Sequence, residues 1–493
     1  MERLEQNATV RLPKVTTGID GLDEILHGGI PVGGTTLVWG GAGCGKSILG
    51  LEFLYRGAVA GEPGILVVFE ERPQAVRQHA LTLGWDLAWL EHAGKLSVLD
   101  GAVDPSAILA GDFDLQALLA IIAGQAQAIG AHRIVIDAVD VLTRLYRDPW
   151  REQSEIYSLQ RWLSERGMTT ILTMKVLHYQ APIPGYEFLD FMADCVIKLD
   201  QRSNEQINTR RLQVVKYRGS SFGRNEYPYI IAEDGIHLLP MSSVVLTQQA
   251  PGELVSSGSA QLDTILGGGY KRGCSLLFSG APGTGKTTVA STFAHTACAR
   301  GEKTLFVSFE ESEEAVATNM LSPGINLRPA LQAGVLRFLT AMPEAMGAEE
   351  HLFGALRVIA AFEPRLVIVE ALSSLLRMGT EQAAFEYAIR LLLACKERGI
   401  TCLFTNQLLS AKQESTLAGI GVSSLVDAVI LLRFAESNGT LHRTLLVRKL
   451  RGAAHSVQCH EFCITDRGLE VLGVYTGNGG LRTGRRVRPG RGS

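Results

Sequence analysis

The sequence predicts two tandem α/β domains, each a mainly parallel twisted sheet flanked by helices, and three observations carry this prediction. Residues 17–71 and 257–311 align without a gap at an offset of 240. In each half a short apolar strand runs into a glycine-rich loop and then a helix. Further on, short apolar strands alternate with helical stretches, the rhythm of a sheet covered on both faces. The chain has 493 residues, and single cores stop growing at about 250–300, so two domains are expected.

The repeat covers whole domains. Gly18, Leu22, Asp23, Ile25, Leu26 and Gly28 recur as Gly258, Leu262, Asp263, Ile265, Leu266 and Gly268. A later block aligns at an offset of 233, where Asp194, Lys216, Arg218 and Gly219 match Asp427, Lys449, Arg451 and Gly452. The second copy is therefore seven residues shorter between the blocks. Expected boundaries are 1–240 for the first domain, 241–255 for a polar, proline-punctuated linker, 256–472 for the second domain, and 473–493 for a disordered glycine and arginine tail. Strands of copy one include Thr35–Trp39, Ile65–Phe69, Arg133–Ile136 and Thr170–Thr173, rich in β-branched residues that suit strands buried on both faces. The loops at one sheet edge should then gather the chemistry.

With 46% hydrophobic and 20% charged residues, the chain has apolar material for ordinary cores. A net charge of -3 supplies no overall positive field to draw it onto nucleic acid or an anionic membrane. The first residues lack the basic start and apolar stretch of a signal peptide, and no uncharged apolar run reaches roughly 18–20 residues, so a cytoplasmic location is expected. The eight cysteines are expected to be reduced.

Gly40-Gly41-Ala42-Gly43-Cys44-Gly45-Lys46-Ser47 and Gly280-Ala281-Pro282-Gly283-Thr284-Gly285-Lys286-Thr287, the latter followed by Thr288, both fit G-x-x-x-x-G-K-[ST] between a strand and a helix. Glycines let the backbone wrap phosphates with its N–H groups, and the helix N-terminus adds positive potential. Lys46 and Lys286 are expected on the β and γ phosphates of ATP, and the hydroxyls of Ser47 and Thr287 on Mg²⁺.

At the same offset, Glu70-Glu71 and Glu310-Glu311 follow apolar strands. A carboxylate there can face the γ phosphate and act as general base on the attacking water or hydroxyl. An exposed strand terminus or helix cap is the plainer alternative. Asp137 ends the strand expected to carry the second magnesium-ordering acid, and the counterpart in copy two is Glu370, whose extra methylene demands a different rotamer. Lys216 with Arg218, and Lys449 with Arg451, put two cations on one side of a strand. They could reach phosphate on a neighbouring subunit, or form a solvated basic edge strand.

These motifs, in this order, resemble RecA-like P-loop NTPases and, among them, the tandem KaiC family of the circadian clock type. The resemblance runs from about residue 14 to 468 and includes Thr17-Gly18-Ile19-Asp20-Gly21-Leu22-Asp23, Gly28-Gly29-Ile30-Pro31-Val32-Gly33-Gly34, Phe69-Glu70-Glu71-Arg72-Pro73-Gln74 and Gly84-Trp85-Asp86-Leu87. It implies a two-tiered homo-hexamer with ATP between subunits, an ATPase first tier, an autokinase second tier, and protein signalling partners of the Kai or response-regulator and kinase type. The family's phosphosite segment matches Gly421–Asp427, which places Ser423 and Ser424 at the phosphorylated positions and Glu310 or Glu311 of the neighbouring subunit as their base. In copy one Asp190 and Phe191 stand at those positions. The family's C-terminal partner-recruiting peptide is not recognisable in Tyr475–Ser493.

Arg482, Arg485, Arg486, Arg488 and Arg491 lie in the tail with no aromatic residue after Tyr475 to stack bases. His455, Cys459, His460 and Cys463 invite a zinc reading, but their spacing in a strand does not aim all four at one centre. The expected function is an ATP-hydrolysing Ser/Thr autokinase acting as a hexameric switch. The alternatives are a RecA- or DnaB-like DNA-dependent motor and a nucleotide-gated scaffold with little turnover.

Overall fold

The computed structural model describes residues 12–101, 115–143, 148–175, 187–204, 207–238, 252–408, 422–437 and 439–476. The chain divides into two compact units, Met1–Ser243 and Val244–Ser493.

In the first unit nine strands form one sheet in the order Leu96–Asp100, Gly64–Val68, Arg133–Asp137, Thr169–Lys175, Thr35–Gly40, Cys195–Asn204, Ile207–Tyr217, Glu226–Ala232, Gly235–Leu238. The first six run parallel, and the last three extend the sheet antiparallel. The second unit repeats this as Leu336–Thr340, Thr304–Ser308, Leu366–Glu370, Thr401–Gln407, Ser275–Gly280, Ala428–Ser437, Thr440–Leu450, His460–Thr465, Gly468–Val474. Even a register irregularity recurs, between Val196 and Ile197 and between Val429 and Ile430.

The antiparallel extension is hard to see in sequence because its strands mix apolar residues with cations such as Arg210 and Arg211. Its outer pairing stops short of the repeated cations: it covers Arg210–Gln213 and Arg443–Leu445, while Lys216 and Lys449, near the strand ends, pair on one side only, with Val196 and Val429.

Alternation along the parallel strands builds the cores. Val38, Leu66 and Val135 point to one face, where Leu49 and Phe53 of the helix Lys46–Val59 and Leu22 and Ile25 meet them. Leu37, Ile65, Ile134 and Ile136 point to the other, against Leu119, Ile122, Leu159 and Leu163. Each such side chain, fully withdrawn from water, contributes about 1.5–3 kcal/mol. In the second unit Leu276, Phe278 and Phe306 pack on Val289, Phe293 and Ala297 of Lys286–Ala299.

The repeated Asp23 and Asp263 are structural. Asp23 accepts hydrogen bonds from Thr17 N (2.7 Å), Thr17 Oγ1 (2.8 Å) and Gly18 N (3.0 Å). Asp263 takes the same part with Ser256 and Ser257. Register sets Gly40 beside Lys175 and Val68 beside Asp137, so both phosphate-loop and acidic strands end at one edge. The glutamate pairs lie in the bend just past Val68 and Ser308 rather than inside the strands.

Candidate functional site

Both phosphate loops are built so that only glycine fits at their hinges. Gly43 and Gly45 have φ of 75° and 81°, and Gly283 and Gly285 have 77° and 97°. A Cβ on Gly45 would stand 2.7 Å from Ile231 Cδ1, and one on Gly285 the same distance from Ile464 Cδ1. A Cβ on Gly40 would meet Leu199 O at 2.2 Å, and one on Gly280 would meet Leu432 O at 2.4 Å. No side chain caps either helix at Gly45 or Gly285. The first N–H groups of each helix are thus left to an anion.

One ammonium is buried in each loop. Lys46 Nζ donates to Gly41 O at 2.6 Å, and Lys286 Nζ donates to Gly280 O and Ala281 O at 3.0 Å. Burial pulls both lysines below the ordinary range, with Asp137 and Cys44 opposing it at Lys46 and Glu310 and Glu370 at Lys286. A desolvated cation inside a cradle of N–H groups fits a polyphosphate. Ala42 and Pro282 stand exposed on the loop crests, whereas Cys44, Thr284 and Thr288 turn inward and are buried.

The two acids that end the adjacent strands are wired differently. Asp137 accepts a hydrogen bond from Thr173 of the neighbouring strand, and Ser47 is exposed. Glu370, one methylene longer, reaches instead to Thr287, whose hydroxyl donates to it at 2.5 Å. Thr405, paired with Phe278 as Thr173 is paired with Val38, is left buried with no hydrogen-bond partner among the described residues. Burial also pushes the Glu370 carboxyl up to about 7, against the lowering effect of Thr287 and Lys286. The sequence anticipated a different rotamer; the structure shows which hydroxyl it selects.

The members of each glutamate pair diverge. Glu70 is bound by the Lys175 ammonium, and Glu310 accepts from Ser374 Oγ at 2.9 Å. Glu71 turns to His79 at 3.2 Å, and Glu311 to Asn319 at 2.9 Å, both on the following helical segment. Lys175, Thr173 and Ser374 belong to no motif, and sequence reasoning passed over them. Their only sequence signal is a position at a strand's carboxyl end, or just beyond it, beside a loop already marked.

The repeated cations sit at the opposite sheet edge. Lys216 Nζ donates to Asp190 O (2.6 Å), Phe191 O (3.1 Å) and Ala193 O (2.7 Å), and Arg218 also donates to Phe191 O. Lys449 Nζ donates to Ser423 O (3.1 Å), Ser424 O (3.1 Å) and Val426 O (2.7 Å), with Arg451 on Ser424 O at 2.8 Å. Ser423 is half-buried and Ser424 exposed, in a short 3-10 turn. This turn is tied to the start of the phosphate-loop strand, because Asp427 Oδ2 accepts from Ser275 N at 2.9 Å. Gly280 ends that six-residue strand, five residues on, which puts the serines roughly 16 Å of strand away from the loop.

Among the described residues there is no group of three or more His, Cys, Asp or Glu able to hold a metal, His455, Cys459, His460 and Cys463 included. No helix among them is long and apolar enough to cross a membrane. The tail arginines and most of the expected linker lie outside the described residues.

Comparison with known proteins adds an independent finding. The family model for the KaiC ATPase matches residues 15–243 and again 255–474. The chain is 38% identical over 484 residues to the circadian clock protein KaiC2 of Synechocystis sp., covering 97% of this chain and 85% of that protein. It is 34% identical to the circadian clock oscillator protein KaiC of Acaryochloris marina, covering 97% and 92%. It is 35% identical to that of Synechococcus elongatus, covering 93% and 89%.

Proposed function

Because the chain belongs to the KaiC ATPase family, and does so through both of its repeats, we propose that it is a Mg²⁺-dependent ATPase and Ser/Thr autokinase working as a homo-hexameric switch of the circadian-clock type. Lys46 and Lys286 bind the β and γ phosphates of ATP, while Ser47 with Asp137 and Thr287 with Glu370 order the magnesium ion. Glu70 and Glu310, held at the loop edge, are the general bases, and Glu71 and Glu311 support them. In the second domain the acceptor is the hydroxyl of Ser423 or Ser424. Its proton passes to Glu310, its oxygen bonds the γ phosphorus, and the bond to the β-phosphate oxygen breaks, leaving ADP.

One observation carries the subunit assignment. Within a chain the serines and the cations Lys216, Arg218, Lys449 and Arg451 are at the opposite sheet edge from the phosphate loops. They meet nucleotide only when a neighbouring chain presents its carboxyl edge, which a closed ring does for every member at once.

Incubating the full chain with γ-labelled ATP and Mg²⁺, with and without single-stranded DNA, tests this. Free phosphate and label on the protein are both expected, and the label disappears in Ser423→Ala/Ser424→Ala while phosphate release persists. Hydrolysis strongly stimulated by DNA, with no labelled protein, would sink the reading in favour of a motor.

Glu370→Asp probes the second metal site. The shorter acid should fall back to Thr405 and release the Thr287 hydroxyl, removing a competing bond of about 1 kcal/mol. The Mg²⁺ concentration for half-maximal nucleotide retention in the second domain should drop about fivefold. An unchanged requirement would show that the Thr287–Glu370 contact has no bearing on the ion.

A further inference from the structure

The two copies hold their proposed bases with chemically different partners. In the first, the last residue of the strand Thr169–Lys175 pairs with Gly40, the end of the phosphate-loop strand. Its backbone N donates to the buried Asp140 at 3.2 Å, and its ammonium takes the Glu70 carboxylate. The same register position in the second copy, opposite Gly280, is Gln407, and Glu310 is held by a neutral hydroxyl instead.

The placement of the Lys175–Glu70 pair matters as much as its charge. The strand Arg133–Asp137 lies between the strand of Lys175 and the strand that precedes Glu70. The pair therefore spans two strand spacings, about 9.6 Å, over the carboxyl end that bears Asp137. It is a strut across the space between phosphate loop and base. A carboxylate whose lone pairs are tied to an ammonium is a poorer proton acceptor than one holding a hydroxyl. The side chains are 41% and 37% exposed, so the pair is solvated and opens readily.

We propose that Lys175 is a positioning residue that restrains Glu70 and slows hydrolysis in the first domain, a restraint the second domain lacks. This rests on Glu70 being the base of that domain. Turnover there requires the ammonium to leave Glu70, so the fraction of time the strut is open scales kcat while substrate binding is little affected.

The test uses the full chain carrying Lys286→Ala, so that hydrolysis reports on the first domain. Lys175→Gln, which installs the residue of the second copy, should raise kcat about twofold to fivefold, the gain from releasing an exposed ion pair, with KM nearly unchanged. Lys175→Arg, which keeps the charge, should retain the slow rate. A kcat that is lowered or unchanged in Lys175→Gln overturns the restraint. A second readout needs no nucleotide: acetic anhydride labelling of Lys175, followed by mass spectrometry, should speed up severalfold in Glu70→Gln, and equal rates overturn the pair. The two ideas fail separately. Full hydrolysis in Glu70→Gln removes the base assignment, whereas lost hydrolysis there together with an unaltered kcat in Lys175→Gln removes only the restraint.

Discussion

Full-length protein carrying Lys286→Ala will bind one nucleotide fewer per chain and take up no label on Ser423 or Ser424. Lys286 is 9% exposed, and its ammonium donates to two loop carbonyls. Removing it deletes charged hydrogen bonds to phosphate worth about 1.5–3 kcal/mol each, so two of them lower affinity by roughly 10²–10⁴-fold. Lys46→Ala should do the same to the first site while leaving the label on the second. Titration with a fluorescent ATP analogue counts the sites directly. The nucleotide-free chain should not lose thermal stability in either variant, because burial disfavours both ammonium groups and their removal relieves a desolvation cost. A variant that melts early would mean that the loop lysine holds the fold, and binding loss could not then be assigned to phosphate.

Glu310→Gln is the second large effect, and it should separate binding from chemistry. Glutamine keeps the shape and can still accept from Ser374 Oγ, which lies 2.9 Å from Glu310 Oε1, but it cannot take the serine proton. Loss of a general base costs about 10²–10⁴-fold in rate. Labelling of Ser423 and Ser424 should fall by that factor with nucleotide occupancy intact. Glu311→Gln, whose parent side chain is turned to Asn319, should retain most of the activity. If Glu311→Gln is the silent enzyme and Glu310→Gln the active one, the roles within the pair are reversed. The matching experiment in the first domain, Glu70→Gln against Glu71→Gln, reads phosphate release.

Much of this was legible before any fold was known, for a physical reason. A phosphate loop needs glycines, a lysine and a hydroxyl at fixed chain spacings, so its chemistry is written in neighbouring residues, and the repeat writes it twice. Asp137 and Glu370 could be picked out because each closes an apolar strand. What stayed hidden depends on contacts between distant segments. Lys175 meets Glu70 from 105 residues away, and Thr173 meets Asp137 from 36 away. Neither lysine nor threonine at a strand end says by itself whether it faces a loop or solvent. The comparison of copies was the available signal: wherever the two differ beside the loop, as at Lys175 and Gln407 or Asp137 and Glu370, the wiring differs too. Lys216 and Lys449 show the converse. Their repetition marked them as candidates for a phosphate contact, yet it could not tell that each ammonium gathers three carbonyls of its own chain.

The separation of serines and phosphate loop along the strand Ser275–Gly280 has a consequence for how such a protein responds to its own abundance. An enzyme whose acceptor and base sit in one chain keeps its specific activity however far it is diluted. On the proposed reading phosphoryl transfer needs two chains, so label per milligram should fall with dilution once subunits begin to part. Mixing Ser423→Ala/Ser424→Ala chains with Glu310→Gln chains should restore label on the Glu310→Gln chains alone, because each lends the other the edge it has lost.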